Sequence, residues 1–415
     1  MAITEAAAAI DIKSTQTATP SDLRSYRLSN IDMLRGLVII IMALDHVRDY
    51  FMLTTELDPL AQADVSLDLY LTRWVTHFCA PVFVFLAGTS AGLMAVRKSR
   101  LKMAQFLASR GVWLILVEVL LISTAWTFSP FDGIAQVGNA TIFAMQVIWA
   151  IGASMLVLAV AQYFGAKACL LLGLIIILGH NSLDAIWPSG DIMSGNNPIW
   201  YALHSQSSTL VGPIHLIFAY PLLPWIGIML VGYGTAFVFT KPAQERNKIL
   251  IVCGVLMMVL FFILRSTQIY GDPNPWQIHE LGLQATILDF MNVTKYPPSL
   301  LFTLITLAPM AILCAYADNV KGKFKDMLVM FGRVPFAFYV AHLYLIHTLS
   351  LCLGKLQGYS FSDTMTLYFF YPKGFGVNMF WVYVAWLVIV AMLYPFCKWM
   401  ADIKAKRKDW WLSYL

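Results

Sequence analysis

The sequence predicts an all-α fold: a polytopic integral membrane helical bundle of about ten transmembrane helices, with both termini cytoplasmic. Three observations carry the prediction. The 415 residues are 59% hydrophobic and 12% charged, against roughly 25% charged in soluble domains. Apolar runs recur at the ~20-residue length that crosses a ~30 Å hydrocarbon core. Lys and Arg concentrate in alternate loops, as the positive-inside rule requires.

In chain order, residues 1–27 are polar and rich in Ala, Thr and Ser. They read as a disordered cytoplasmic tail without a cleavable signal. Spans are expected at residues 34–53, 74–96, 106–127, 141–164, 168–186, 214–239, 249–267, 300–316, 327–353 and 378–400. They make one membrane domain, 28–403, followed by a basic and aromatic tail, 404–415. This arrangement leaves only Arg48, Arg73, Lys295, Lys355 and Lys373 in the connections of the extracytoplasmic side. The net charge of +5 therefore reports membrane topology, and no nucleic-acid partner is expected. Residues 187–213 and 268–299 read as long irregular outer loops. Within the second, 281–291 has the pattern of a short interfacial amphipathic helix. No internal repeat supports an inverted-repeat transporter. The six cysteines lie in apolar stretches without metal or disulfide spacing. No HExxH-type pattern occurs either, so no metal is predicted.

The chemistry concentrates in residues 31–51, IDMLRGLVIIIMALDHVRDYF. Arg35 and His46 are eleven residues apart, which is about 20° past three full turns at 100° per residue. They therefore share a face, roughly 16 Å apart along the axis. Ionisable groups inside a membrane helix are costly and usually face the bundle interior. Arg48 has the bland reading of a snorkelling boundary residue. Asp45 and His46 sit too deep for that. His77 enters the next span from the outside at similar depth, within roughly 5 Å, so the two histidines are expected to meet in a shared site. Arg73 lies one turn from His77. Asp45, or Asp49, would orient an imidazole, and a histidine so held suits proton abstraction from an amine or hydroxyl. The bland reading of His77 is a helix cap or headgroup contact. None of the eight histidines is expected on the cytoplasmic surface, which suggests a polar cavity open to the outer face. His342 and His347 are about 140° apart on one helix and cannot share an iron; a haem between His46 and His77 stays an alternative. Glu118 and Arg265 are candidates for a structural ion pair. Arg333 begins the ninth span at the inner boundary. Gly88 and Gly92 read as a close helix contact.

The pattern from Arg35 to His46 resembles the first helix of the membrane acyltransferase superfamily. Four further stretches carry the likeness: THFCAPVFVFLAGTSAG from Thr76, PIHLIFAYPLLPWIGIMLVGYGTA from Pro213, NVTKYPPSLLFTLITLAP from Asn292 and FGRVPFAFYVAHLYLIH from Phe331. Together they are similar to the bacterial DUF1624 group, related to heparan-α-glucosaminide N-acetyltransferase. The resemblance implies transfer of an acyl group, acetyl in the first instance, from cytosolic acyl-CoA to an extracytoplasmic sugar or glycan. It implies His46 as general base, with His77 as partner and Asp45 as orienting carboxylate. Arg35 and Arg333 would face the donor phosphates. Arg73, His342, Lys295 and Tyr296 complete the substrate-binding set, the last two at the outer mouth. The bacterial cytoplasmic membrane is the implied location, membrane lipids are implied partners, and a homo-oligomer is allowed. A transporter or flippase using the same cavity is the competing reading.

Overall fold

The computed structural model describes residues 20–53, 66–129, 139–185, 197–407 and 409–413. Helix α1 is Pro20–Phe51. The expected tail is thus already helical from Pro20, a residue whose fixed φ suits a first helical turn; residues 1–19 lie outside the described residues. The second path is α2 (Leu67–Thr76) and α3 (Cys79–Ala95), joined through His77 and Phe78. Helix α4 (Arg100–Val117) passes through a π-helical turn, Glu118–Ile122, into α5 (Ser123–Thr127). There follow β1 (Thr141–Ala144), α6 (Val147–Ala161), α7 (Ala166–Gly179), α8 (Pro198–Leu203), β2 (Ser207–Val211) and β3 (Ile214–Phe218). The chain continues with α9 (Leu222–Gly234), α10 (Ala243–Thr267), α11 (Leu283–Met291) and α12 (Leu300–Tyr316). It ends with α13 (Lys323–Arg333), α14 (Pro335–Leu356), α15 (Phe361–Thr364) and α16 (Met379–Lys406). The carboxyl tail expected from 404 instead begins inside α16.

The protein is a polytopic helical membrane protein. Among the described residues, eight helical paths have the length and composition to cross a bilayer. The other two expected spans correspond to α1, which carries Asp45, His46, Arg48 and Asp49, and to the 17-residue α12. Helices α10 and α16 turn most of their apolar surface outward, as lipid-facing helices do.

Three expectations are corrected. The spans at 141–164 and 214–239 each start as a strand, not a helix. The strands form a small sheet of order β1-β3-β2, with β1 parallel and β2 antiparallel to β3. Residues 187–213 are not irregular where described, since α8 and β2 occupy much of 197–213; 187–196 lie outside the described residues. The ninth span is two helices. Val334 leaves the helical region at φ −129°, ψ 44°, because the Pro335 ring disfavours the α conformation of the residue before it.

Glycine contacts fix the helix positions. A Cβ on Gly36 would lie 1.8 Å from the Leu328 carbonyl oxygen, and one on Gly332 would lie 1.8 Å from that of Asp32. The backbones of α1 and α13 therefore touch, which only glycine permits. Gly88 plays the same part between α3 and α9, where a Cβ would meet the Met229 oxygen at 2.1 Å. The anticipated close contact at Gly88 and Gly92 is present.

One end of the bundle gathers basic residues. Asn30 and Arg246 both donate to Asp318, tying the starts of α1 and α10 to the end of α12. Arg35 Nη2 donates to Ser90 Oγ at 3.1 Å, near the end of α3.

Gly332→Val is expected to destabilise the protein by about 3 kcal/mol, because the α1–α13 contact must open. A Cβ on Gly179 meets nothing within 4 Å, so Gly179→Ala is expected to leave the thermal midpoint nearly unchanged. Thermal unfolding in detergent compares the two.

Candidate functional site

Helix α1 delivers His46 from one side and α14 delivers His342 from the other. His46 Nδ1 lies 2.7 Å from His342 Nε2, with ring planes 20° apart. His342 Nδ1 lies 3.1 Å from the Phe338 carbonyl oxygen. That oxygen only accepts, so in the neutral pair the Nδ1 proton of His342 is assigned to it. His342 Nε2 is then a lone pair, and His46 Nδ1 must donate to it. This leaves His46 Nε2 as an unprotonated nitrogen with no hydrogen-bond partner among the described residues. The ring keeps some accessible surface. A directed imidazole with a free Nε2 is the working arrangement of a general base.

His342 was expected to touch substrate. The structure instead makes it the group that sets the His46 tautomer, the place anticipated for Asp45. Asp45 is already engaged: Arg73 Nη1 contacts both of its oxygens at 2.8 Å, and Arg48 Nη2 lies 3.3 Å from Oδ1. Arg48 also donates to Asp49. Arg73 and Asp45 therefore lock α2 to α1.

His77 caps α2, its backbone N–H donating to the Trp74 carbonyl at 3.1 Å. Its buried ring lies 5.4 Å from Phe302. No hydrogen bond joins it to His46 among the described residues, so the expected direct pairing of the two histidines is not made. His347 stands apart from the dyad, with its two nitrogens 2.8 and 2.9 Å from the Ala125 and Thr364 carbonyl oxygens.

The KYPPS stretch approaches from the side of the loop 268–299. Lys295 Nζ lies 5.1 Å from the Tyr296 ring centre, and its charge acts on Asp45, His46 and His77. Tyr296 Oη meets Tyr220 Oη at 3.4 Å. The outer segment 268–299 is framed rather than irregular. Asp272 accepts from Thr294 N, Thr294 Oγ1 and Ser299 Oγ at 2.7–2.9 Å. Arg265 donates to the carbonyls of Asn274, Asp289, Phe290 and Asn292. The suggested Glu118–Arg265 pair does not form, because Glu118 Oε2 accepts from Trp149 N at 2.8 Å. A cavity of about 210 Å³ beside Arg265 and Asp272 shares no lining residue with the dyad.

At the basic end, Arg35 Nη1 reaches Asp32 Oδ1 at 2.9 Å and the Gly332 carbonyl at 3.1 Å. Lys404 Nζ donates to the Arg333 carbonyl at 3.1 Å. Both cations thus serve the carboxyl end of α13, as its dipole favours. The Arg333 side chain is exposed. Among the described residues, no three His, Cys, Asp or Glu side chains form a metal-binding group.

The chain matches the family model described as heparan-alpha-glucosaminide N-acetyltransferase, catalytic, over residues 27–270. It belongs to that family. It is, in general terms, a membrane acetyltransferase. No curated protein gives a significant match. The matched stretch holds Arg35, Asp45, His46, Arg73 and His77. His342 on α14, the partner of His46, lies outside it, as do Lys295, Tyr296 and Arg333.

If His342 sets the His46 tautomer, His342→Gln should keep part of the activity, since an amide oxygen also accepts from Nδ1–H. His342→Phe should lose at least tenfold more. Asp45→Ala should instead act on stability, by about 3 kcal/mol, because it leaves the largely buried Arg73 guanidinium without its carboxylate, while Arg48 keeps Asp49. Steady-state rates and thermal midpoints of the three variants separate the two roles.

Proposed function

We propose that the protein moves an acyl group, acetyl in the first instance, from acyl-CoA to a sugar or glycan acceptor on the opposite side of the membrane. The single observation that supports this reading most is the unpartnered Nε2 of His46, set by His342, in a chain of this family. His46 Nε2 takes the proton of an acceptor hydroxyl or amine as its oxygen or nitrogen bonds to the thioester carbonyl carbon. When the C–S bond breaks, the CoA sulfur leaves with the electron pair and receives that proton from His46.

The donor enters from the basic, cytoplasmic end. Arg333 meets its phosphates, and Arg35 adds a fixed positive charge behind them. The pantetheine arm spans the roughly 16 Å from the level of Arg35 to that of His46. Lys295 and Tyr296 guard the acceptor's entrance, with Arg73 and His77 lining the way in. The bacterial cytoplasmic membrane is the proposed location.

Purified protein incubated with radiolabelled acetyl-CoA and a pool of envelope glycans tests the proposal. Label should pass to glycan with wild type. His46→Ala should cut transfer at least 10³-fold while binding acetyl-CoA with unchanged affinity. Arg333→Ala should raise the KM for acetyl-CoA about tenfold, the worth of one charge-assisted contact. Full activity of His46→Ala would remove His46 as the base. Movement of an unmodified ligand across the membrane, with no label transferred, would favour a transporter.

A further inference from the structure

We propose that the Tyr339 hydroxyl and the Trp126 indole N–H form the oxyanion hole that receives the thioester carbonyl oxygen. This rests on the acyl-transfer reading above and adds residues to it.

Two observations point to the pair. Both side chains are at least nine-tenths buried, with Tyr339 3% and Trp126 5% exposed. Yet Tyr339 Oη and Trp126 Nε1 have no hydrogen-bond partner among the described residues. The two most buried tyrosines of the chain do not leave this group open. Tyr50 Oη donates to the Trp126 carbonyl at 2.7 Å, and Tyr70 Oη to that of Leu288 at 2.6 Å. An unpaired buried donor is unfavourable and calls for an explanation; the indoles of Trp149 and Trp225 are also without partners, so it is position beside His46 that singles out this pair.

Position supplies the second observation. Both rings stand edge-on to His46, Trp126 at 5.3 Å and 78°, Tyr339 at 6.3 Å and 71°. The two rings that carry the open donors therefore flank the imidazole of the base. Tyr339 is three residues before His342 on α14, on the same helix face, with the rings 5.5 Å apart. The element that sets the His46 tautomer thus also carries a donor. Glu118, a neighbour of Tyr339, makes no hydrogen bond to the hydroxyl; its Oε2 accepts from Trp149 N at the start of α6 and its Oε1 has no partner among the described residues.

The step balances. As the acceptor bonds to the carbonyl carbon, the π pair of C=O moves onto oxygen, where the two donors stabilise it. The acceptor's proton goes to His46 Nε2. When C=O re-forms, the C–S bond breaks and the thiolate takes the proton back.

The test is Tyr339→Phe, which removes only the open hydroxyl, read by three measurements. The kcat should fall 10²–10³-fold, the loss seen when one oxyanion donor is removed. The KM for acetyl-CoA should stay within about twofold and the thermal midpoint should not fall. Isotope-edited infrared spectra of bound carbonyl-13C acetyl-CoA should show a lowered C=O stretch in wild type, with the lowering reduced in the variant. Trp126→Phe should move the band in the same sense. An unchanged rate and an unchanged band in Tyr339→Phe would overturn the oxyanion hole alone, leaving acyl transfer standing wherever His46→Ala is inactive. A wild type that neither binds nor turns over acetyl-CoA would overturn both.

Discussion

An imidazole buried among membrane helices must place its one N–H on an acceptor and keep its other nitrogen for something else. In His342 the N–H goes to the Phe338 carbonyl one turn back, whose second lone pair is left over from its bond within the helix. Everything downstream follows from that choice. His342 Nε2 becomes an acceptor, His46 Nδ1 becomes a donor across 2.7 Å, and His46 Nε2 is left open. The chain of assignments needs α1 and α14 held at fixed spacing. The Pro335 break and the Gly36 and Gly332 contacts supply it, since α13 is pressed against α1 backbone to backbone just before α14 begins.

The charged residues do a different job from the histidines. Asp45, Arg48, Asp49 and Arg73 neutralise one another near one end of α1, while toward the other Arg246 neutralises Asp318, which also accepts from Asn30 of α1. Buried ion pairs are weak sources of net stability, because desolvation offsets most of their attraction. Their geometric demand is strong, because a slipped helix would strand a charge. Both ends of α1 are thereby pinned in register, and His46 between them inherits that register. Asp45 adjoins the base in sequence but contributes by holding the helix, not by touching the imidazole.

Much of this was legible in the sequence, and the parts that were not have physical reasons. The shared face of Arg35 and His46 follows from helical periodicity alone, and the apolar runs follow from bilayer thickness. The contact at Gly88 was readable because only small residues let membrane helices touch. The strands at 141 and 214 were hidden because TIFA and IHLIF are as apolar as the helices they precede, and hydropathy does not separate the two. The break at Val334 had a visible signal in Pro335, outweighed by the continuous apolar run. The His342 partnership was illegible because 296 residues separate it from His46, and nothing local on either helix announces the other. Tyr339 and Trp126 were hidden for a subtler reason: an aromatic in an apolar run reads as core, and only an open polar atom combined with a place beside His46 sets it apart.

The open atom also bears on how such a site coexists with a stable fold. A bilayer interior offers little water to satisfy a stray donor, so each open polar atom must be held in place by its surroundings. Trp126 is fixed by Tyr50, whose ring packs 5.5 Å from the indole and whose hydroxyl takes the Trp126 carbonyl. Tyr339 is fixed by α14, whose His347 sits between the carbonyls of Ala125 and Thr364 and gives its one N–H to one of them. The same short stretch, Ala125 and Trp126, therefore ties both donors to one frame. Beside His46 Nε2 two such open donors are held together, and a polarised carbonyl placed there would satisfy both.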